Sequence, residues 1–314
     1  MPAVRVTHPD AMQDSFAALA DHRLHKPGVA GSSPAAAIED SDCVIDHCPN
    51  EEYHARPEVS ASQLKELALS PVAFYRRYVA GEAPPKSSDA LSYGSLLHSW
   101  GELRDELFWP RVQIAPADVL TATGQFGKAA KEWQSALPAD AIALSPSDYK
   151  KLWDQTRQIL ANSAARELIE ESVDREFNIR WKWHGHACRC RVDGATAEVL
   201  YDFKTTSDPD PKWTFHSSVK KWRYDIQAAF YGSAAVAAGW PAHPMVFIIT
   251  STTEPYLCHV AQLPAALMAK GRSRCLALLK DLQRRKEWDC WTPADYGRVN
   301  ELFVPRYMIE GSDS

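Results

Sequence analysis

Two carboxylates and a lysine lie close together in the middle of this chain: Asp193, then Asp202-Phe203-Lys204 starting nine residues later. The stretch Leu200–Thr206 reads as a strand, which puts Asp202 and Lys204 on one face and Tyr201 and Phe203 on the other. A carboxylate and an ammonium so spaced can hold a metal ion and orient a water in the same small space. Asp193 ends a second strand-like run, Cys188-Arg-Cys-Arg-Val-Asp193. These groups suit phosphodiester hydrolysis, which needs an in-line water, a Lewis acid on the scissile phosphate and help for the leaving oxygen. Magnesium ions fixed by carboxylates on rigid strands supply the last two. On this reading Asp193 and Asp202 are metal ligands, and the Phe203 carbonyl can add a neutral one. Lys204 orients or helps deprotonate the water and stabilises developing charge. The plainer alternative is an ion pair across two strands.

Other residues gain meaning beside that core. Glu176 falls on the polar face of a strand whose other face carries Phe177 and Ile179, so it can reach the same pocket or stand as a solvated edge acid. His98 follows Gly94 by four on a helical stretch, Tyr93-Gly-Ser-Leu-Leu-His98, and is either a ligand or a packing histidine. Gly94 would let a backbone or a nucleic-acid strand come close. Tyr224, Gln227 and Tyr231 share one helical face, suited to phosphate oxygens or to Lys204, or else to half-buried packing. Lys212, Lys220, Lys221 and Arg223 interleave with Trp213, Phe215, Trp222 and Tyr224, a basic-aromatic stretch that can hold phosphates and stack on an unpaired base. A solvated helix surface would look the same.

These residues need a scaffold. Residues 1–50 lack periodicity and read as a mostly disordered leader with a short helix near Asp10–Asp21, so order is expected from about Tyr53. Ser60-x-x-Gln63 is a capping box ahead of Leu64 and Leu67, and Ser70-Pro71 breaks that helix or starts another. A Pro/Ser-rich link over Ala83–Asp89 precedes the helix of His98, a further helix falls near Phe126–Ala136, and Ser145-Pro146 opens one running to about Asn162. Then the pattern turns to β. Glu176–Trp183, Ala187–Asp193 and Glu198–Thr205, with turns at His184-Gly185 and Gly194, predict an antiparallel meander. A helix over Phe215–Ala238, strands at Met245–Thr250 and Tyr256–Ala261, and a helix over Pro264–Lys286 complete an α/β or α+β domain with a helical front end.

Composition bounds the function. The net charge of −5 argues against a wholly basic nucleic-acid coat while leaving room for a local basic groove. The seven cysteines include no CxxC pair, which disfavours a zinc or iron–sulfur centre, and a reduced, cytoplasmic protein is the simpler reading. Cys188 and Cys190 share a strand face and are expected to pack as small hydrophobes. No apolar run is long enough to span a membrane.

Taken in order, Gly94-x-x-x-His98, Glu176, Asp193, Asp202-x-Lys204-Thr205-Thr206 and Gln227-x-x-x-Tyr231 resemble the RecB-like branch of the PD-(D/E)xK nucleases. The likeness is closer still to the nuclease domain of RecE (exonuclease VIII) and its phage relatives. It also takes in Tyr53-His54-Ala55, Val59-Ser60-x-Ser62-Gln63-Leu64, Tyr224 with Phe230, and Ser251-Thr252-Thr253, and covers about residues 51–290. The leader matches nothing in that family's pattern.

The resemblance implies a restriction-endonuclease-like core, a central mixed sheet flanked by helices, in a single domain over 51–314. It implies His98, Asp193 and Asp202 as metal ligands, Lys204 as the catalytic lysine, Glu176 in the acidic cluster and Gln227 with Tyr231 as the helical motif. It further implies a Mg2+-dependent exodeoxyribonuclease, with Mn2+ as a substitute ion. Such enzymes degrade linear double-stranded DNA from 5′ ends and leave 3′ overhangs for a RecT-like annealing protein in recombination. A ring-shaped tetramer and a phage origin come by the same analogy. The alternatives are a single-strand nuclease or nickase of the same fold, or a catalytically silent DNA-end-binding scaffold.

Overall fold

The computed structural model describes residues 43–82, 89–240, 243–293, 297–299 and 301. The expected helix at Asp10–Asp21, the rest of the leader to residue 42 and most of the 83–89 link lie outside the described residues. In chain order come β1 (Val44–Asp46), α1 (Asn50–Ala55), α2 (Ala61–Leu69), α3 (Pro71–Phe74, continued by a π-helical turn), α4 (Asp89–Phe108, broken by a kink at Arg104), β2 (Val112–Ile114), α5 (Ala130–Ser135), β3 (Ile142–Leu144), α6 (Pro146–Ala161) and α7 (Ser163–Glu170). Then follow β4 (Asp174–Trp183), β5 (His186–Ala195), β6 (Leu200–Thr206), α8 (Pro211–Trp222), α9 (Tyr224–Ala237), β7 (Met245–Ser251), β8 (Cys258–Gln262) and α10 (Ala265–Trp288).

Alternation builds the central sheet. Phe177, Ile179 and Trp181 of β4 stand opposite Val192, Cys190 and Cys188 of β5, so six apolar side chains leave the hairpin on one face. His184 and Gly185 both take positive φ (46° and 75°), the backbone of a two-residue hairpin turn. The six strands run in the order β1-β4-β5-β6-β7-β8, with only β6 and β7 parallel. The parallel pair is possible because the α8–α9 crossover lies between its strands. Helices cover both faces. Leu64 of α2, Phe230 and Ala234 of α9 and Leu279 of α10 pack on the hairpin's apolar face. Tyr201 and Phe203 of β6 pack on the other, against Leu97 and Trp100 of α4, Leu152 of α6 and Ile169 of α7. Each such burial contributes roughly 1.5–3 kcal/mol.

The expected starts of α2, α3 and α6 hold: Ser60 and Gln63 form the capping box, and Ser70 and Ser145 each cap a helix with Pro at its first position. Elsewhere the structure corrects the sequence reading. Order begins before Tyr53, because β1 pairs with β4 and Asp46 is gripped by Arg56, Asn178 and Arg180. The helix expected near Phe126–Ala136 is confined to Ala130–Ser135. Gly194 is not the turn. It pairs with Tyr201, and a Cβ there would lie 2.0 Å from that ring. The turn follows at Thr196, whose hydroxyl accepts from Glu198 N and Val199 N, both at 3.2 Å. The single helix expected over Phe215–Ala238 is two, separated by Arg223 in the left-handed region (φ 53°, ψ 47°).

Candidate active site

The site begins where the sheet opens. β5 and β6 pair only at Gly194–Tyr201 and Ala195–Leu200, and beyond that point the two strands part. β6 stays paired to β7 through Thr206, so the gap is on its β5 side. Asp193 is the first residue in the fork. Its Oδ2 accepts from Phe203 N at 2.7 Å, so a side-chain oxygen takes over where the strand ladder stops. Across the hairpin, Glu176 stands opposite Asp193, since its neighbours Arg175 and Phe177 are registered with Gly194 and Val192. Glu176 has φ 47°, a left-handed conformation that costs a non-glycine residue about 1–3 kcal/mol and often marks a functional site.

His98 reaches this pair from α4. One turn on, Gly101 lies against the Phe203 ring, and a Cβ there would come within 2.6 Å of it. That close approach holds the helix low over β6. His98 Nδ1 is then 3.0 Å from Asp193 Oδ2 and 3.7 Å from Glu176 Oε1. One ligand atom from each of the three side chains lies within 4.8 Å of the others. Burial pushes the Glu176 carboxyl up to about 7, with the Asp193 charge adding to the rise and His98 opposing it. Burial would also raise Asp193, but the His98 ring holds it below the ordinary carboxylate range. His98 is driven well above its usual value, burial being outweighed by Asp193. Two carboxylates and an imidazole, converging in a partly buried recess, suit a divalent cation.

Asp202 and Lys204 leave β6 on the opposite face, toward α9 and α2. The Lys204 ammonium pairs with Asp202 Oδ2, and Gln227 Nε2 donates to Asp202 Oδ1 at 2.7 Å. Burial raises Asp202, and the nearby Asp193 raises it further. Burial would lower Lys204, but Asp202 outweighs it, so the ammonium is held above its ordinary value and stays charged. The Lys204 Nζ lies 4.9 Å from the centroid of the Tyr224 ring, a cation–π contact. Lys65 of α2 completes this side: its Nζ donates to Gln227 Oε1 at 3.2 Å and lies 5.5 Å from the same ring. Burial, then the charge on Lys204, lowers Lys65 to about 8.

The structure therefore groups the sequence candidates differently from the order of their motifs. His98, Asp193 and Glu176 form the converging trio, while Asp202 stands across the fork with Lys204 and Gln227. Gln227 meets Asp202 rather than Lys204, and Tyr231 packs against the apolar core. Gly94 has open space where its Cβ would be; it lines a cleft of about 220 Å³ with Ser95, His98, Phe203, Lys204, Thr205 and Tyr224. Lys220, Lys221 and Arg223 lie at the end of α8 around a surface hollow with His216, Ser217 and Leu69, outside the fork. Lys65 was missed: in the sequence it is one lysine on the polar side of a capped helix.

In sequence, residues 60–297 match the model of a family described as a PDDEXK-like domain of unknown function (DUF3799). No curated protein matches the chain. Among solved structures, a Eubacterium rectale protein described as a candidate exonuclease is similar in fold, with a TM-score of 0.58 at 14% identity. The superposition covers 85% of this chain and 99% of that one. The mixed sheet flanked by helices agrees with the restriction-endonuclease-like core that the resemblance implies. The chain belongs to the PDDEXK-like domain family DUF3799.

Proposed function

We propose that this protein is a Mg2+-dependent exodeoxyribonuclease that degrades linear double-stranded DNA 5′→3′ and leaves 3′ overhangs for recombination by annealing. The observation that carries the reading is the fork. It gathers His98, Glu176 and Asp193 on one side of β6 and Asp202 with a charged Lys204 on the other. Candidate exonuclease function in a protein of the same fold supports it. His98, Asp193 and Asp202 would hold the cation, with Glu176 beside them in the acidic cluster. When bound, the ion supplies Lewis acidity at the scissile phosphate.

The chain's own residues do the rest. Phe203 N holds Asp193 at one carboxylate oxygen, and Gln227 holds Asp202 at one, so each acid is fixed before substrate arrives. Lys204 acts as a cation: it orients the attacking water and stabilises charge growing on the phosphate. Tyr224 limits where that ammonium can move. Lys220, Lys221 and Arg223 contact the DNA backbone flanking the cut. A RecT-like annealing protein and a ring tetramer follow from the same resemblance.

The test is digestion of linear duplex DNA labelled at the 5′ or the 3′ end, with Mg2+ or with EDTA, beside a covalently closed circle. Early Mg2+-dependent release of the 5′ label with the circle intact is the expected result. Cutting of the circle would sink the exonuclease assignment. A second reading, action on single strands, is favoured by Trp213 and Trp222 of α8, which are 72% and 53% exposed beside Lys212 and Lys221. A single-stranded substrate in the same assay separates the two.

A further inference from the structure

Gln227 sits between two partners of opposite hydrogen-bonding character. An ionised carboxylate only accepts and an ammonium only donates. Asp202 Oδ1 takes the Gln227 Nε2 donor at 2.7 Å, and Lys65 Nζ feeds the Gln227 Oε1 acceptor at 3.2 Å. The amide therefore has one orientation that satisfies both ends. Flipped, it would aim its oxygen at a carboxylate and its NH2 at an ammonium. Gln227 is buried, so an unsatisfied end there is costly. Lys65 and Lys204 also flank one Tyr224 ring, at 5.5 and 4.9 Å from its centroid, so the two ammoniums and the amide form one packed unit around Asp202.

We propose that Lys65 is a positioning residue for this site: it locks the Gln227 amide so that Asp202 presents a single oxygen to Lys204 and the reacting groups. The proposal rests on the nuclease reading for its kinetic consequence but not for its geometry. Lys65 comes from α2, 162 residues before Gln227, so the site depends on the helical front end as well as on the sheet. Loss of the lock leaves Asp202 free to rotate between its two oxygens. That affects turnover more than substrate binding, because the DNA-contacting surface on α8 is untouched.

The test combines Lys65→Met, Lys65→Arg, Gln227→Met and the Lys65→Met/Gln227→Met double variant. Steady-state cleavage of end-labelled duplex and solvent exchange of the Gln227 side-chain amide by 15N NMR are both read. The expected result is a kcat about 10–100-fold lower in Lys65→Met at an unchanged KM, with substantial recovery in Lys65→Arg. In the Gln227→Met background the Lys65 change should add almost nothing, because both act through the same bond. The Gln227 amide should be protected in the wild type and in Lys65→Arg and lose that protection in Lys65→Met. Wild-type kcat in Lys65→Met, or full additivity in the double variant, overturns the proposal, as does an amide equally protected without Lys65. If the wild type cleaves nothing, the nuclease reading falls, and the amide exchange alone decides the role of Lys65.

Discussion

The two sides of β6 hold acids of the same kind in opposite circumstances. On the α4 side, Glu176 and Asp193 face each other with one imidazole between them, and Glu176 is pushed up to about 7. On the α9 side, Asp202 has its own cation in Lys204 and an amide from Gln227. One side is short of positive charge, and the other is supplied with it. Strand alternation produces the division, because Phe203 turns one way while Asp202 and Lys204 turn the other. A hydrolytic site needs both: acids that draw in a cation, Asp202 among them in the proposed ligand set, and a fixed cation that handles charge at the water and phosphate.

The largest test of this contrast is Asp193→Asn, which weakens the trio. Cleavage should fall by about a thousandfold or more. The fold should survive, because Asn still accepts from Phe203 N and the repulsion with Glu176 is relieved; Mn2+ titration and a thermal melt check both halves. Undiminished activity would break the ligand assignment. Next comes Lys204→Met, expected to lower kcat about 10²–10³-fold while Mn2+ affinity holds or rises, since a competing cation is gone. A loss of metal affinity equal to that of Asp193→Asn would erase the distinction between the two sides. Gly101→Ala is smaller: its Cβ meets the Phe203 ring, and overpacking of that kind costs about 1–3 kcal/mol. The melt should fall, and Mn2+ affinity should fall with it, because His98 is displaced.

Acid should loosen the join between the end of α4 and α6. Asp105, just past the break that Arg104 makes in α4 (φ 63°, ψ 176°), accepts from the Trp100 and Trp109 indoles and pairs with Arg157 of α6. Burial would raise its pKa, but Arg157 and the two indoles outweigh burial and lower it. A depressed carboxyl stabilises the fold above its ordinary value of 3.8, and that stability is lost as pH falls through the folded value. Melting temperature against pH should therefore drop less steeply in Asp105→Asn than in the wild type; parallel curves would remove Asp105 as the cause. The smallest effect is expected at the surface. Lys220→Ala with Lys221→Ala should weaken DNA binding and reduce its salt dependence, leaving kcat at saturation near the wild-type value.

Much of this is legible in the sequence. A period of two marked β4, β5 and β6, Ser-Pro steps and a capping box marked helix starts, and Asp193, Asp202, Lys204, His98 and Gln227 stood out by type and spacing. What failed had no local signal. Arg223 breaks a helix without glycine or proline, and Gly194 resembles a turn but exists to admit Tyr201. β1 is a three-residue edge strand held by the charge cluster around Asp46.

The sequence by itself determined which faces are apolar, which strands follow one another and which side chains have the chemistry to act, because those properties are set by residue type and short-range periodicity. Only the tertiary structure decided who meets whom. The parting of β5 from β6, the left-handed backbone of Glu176 opposite Asp193, the close approach of α4 to Phe203 at Gly101, and the reach of Lys65 to Gln227 each depend on packing between distant segments. Contacts of that kind are fixed by the closing of the whole core, and no window of neighbouring residues contains them.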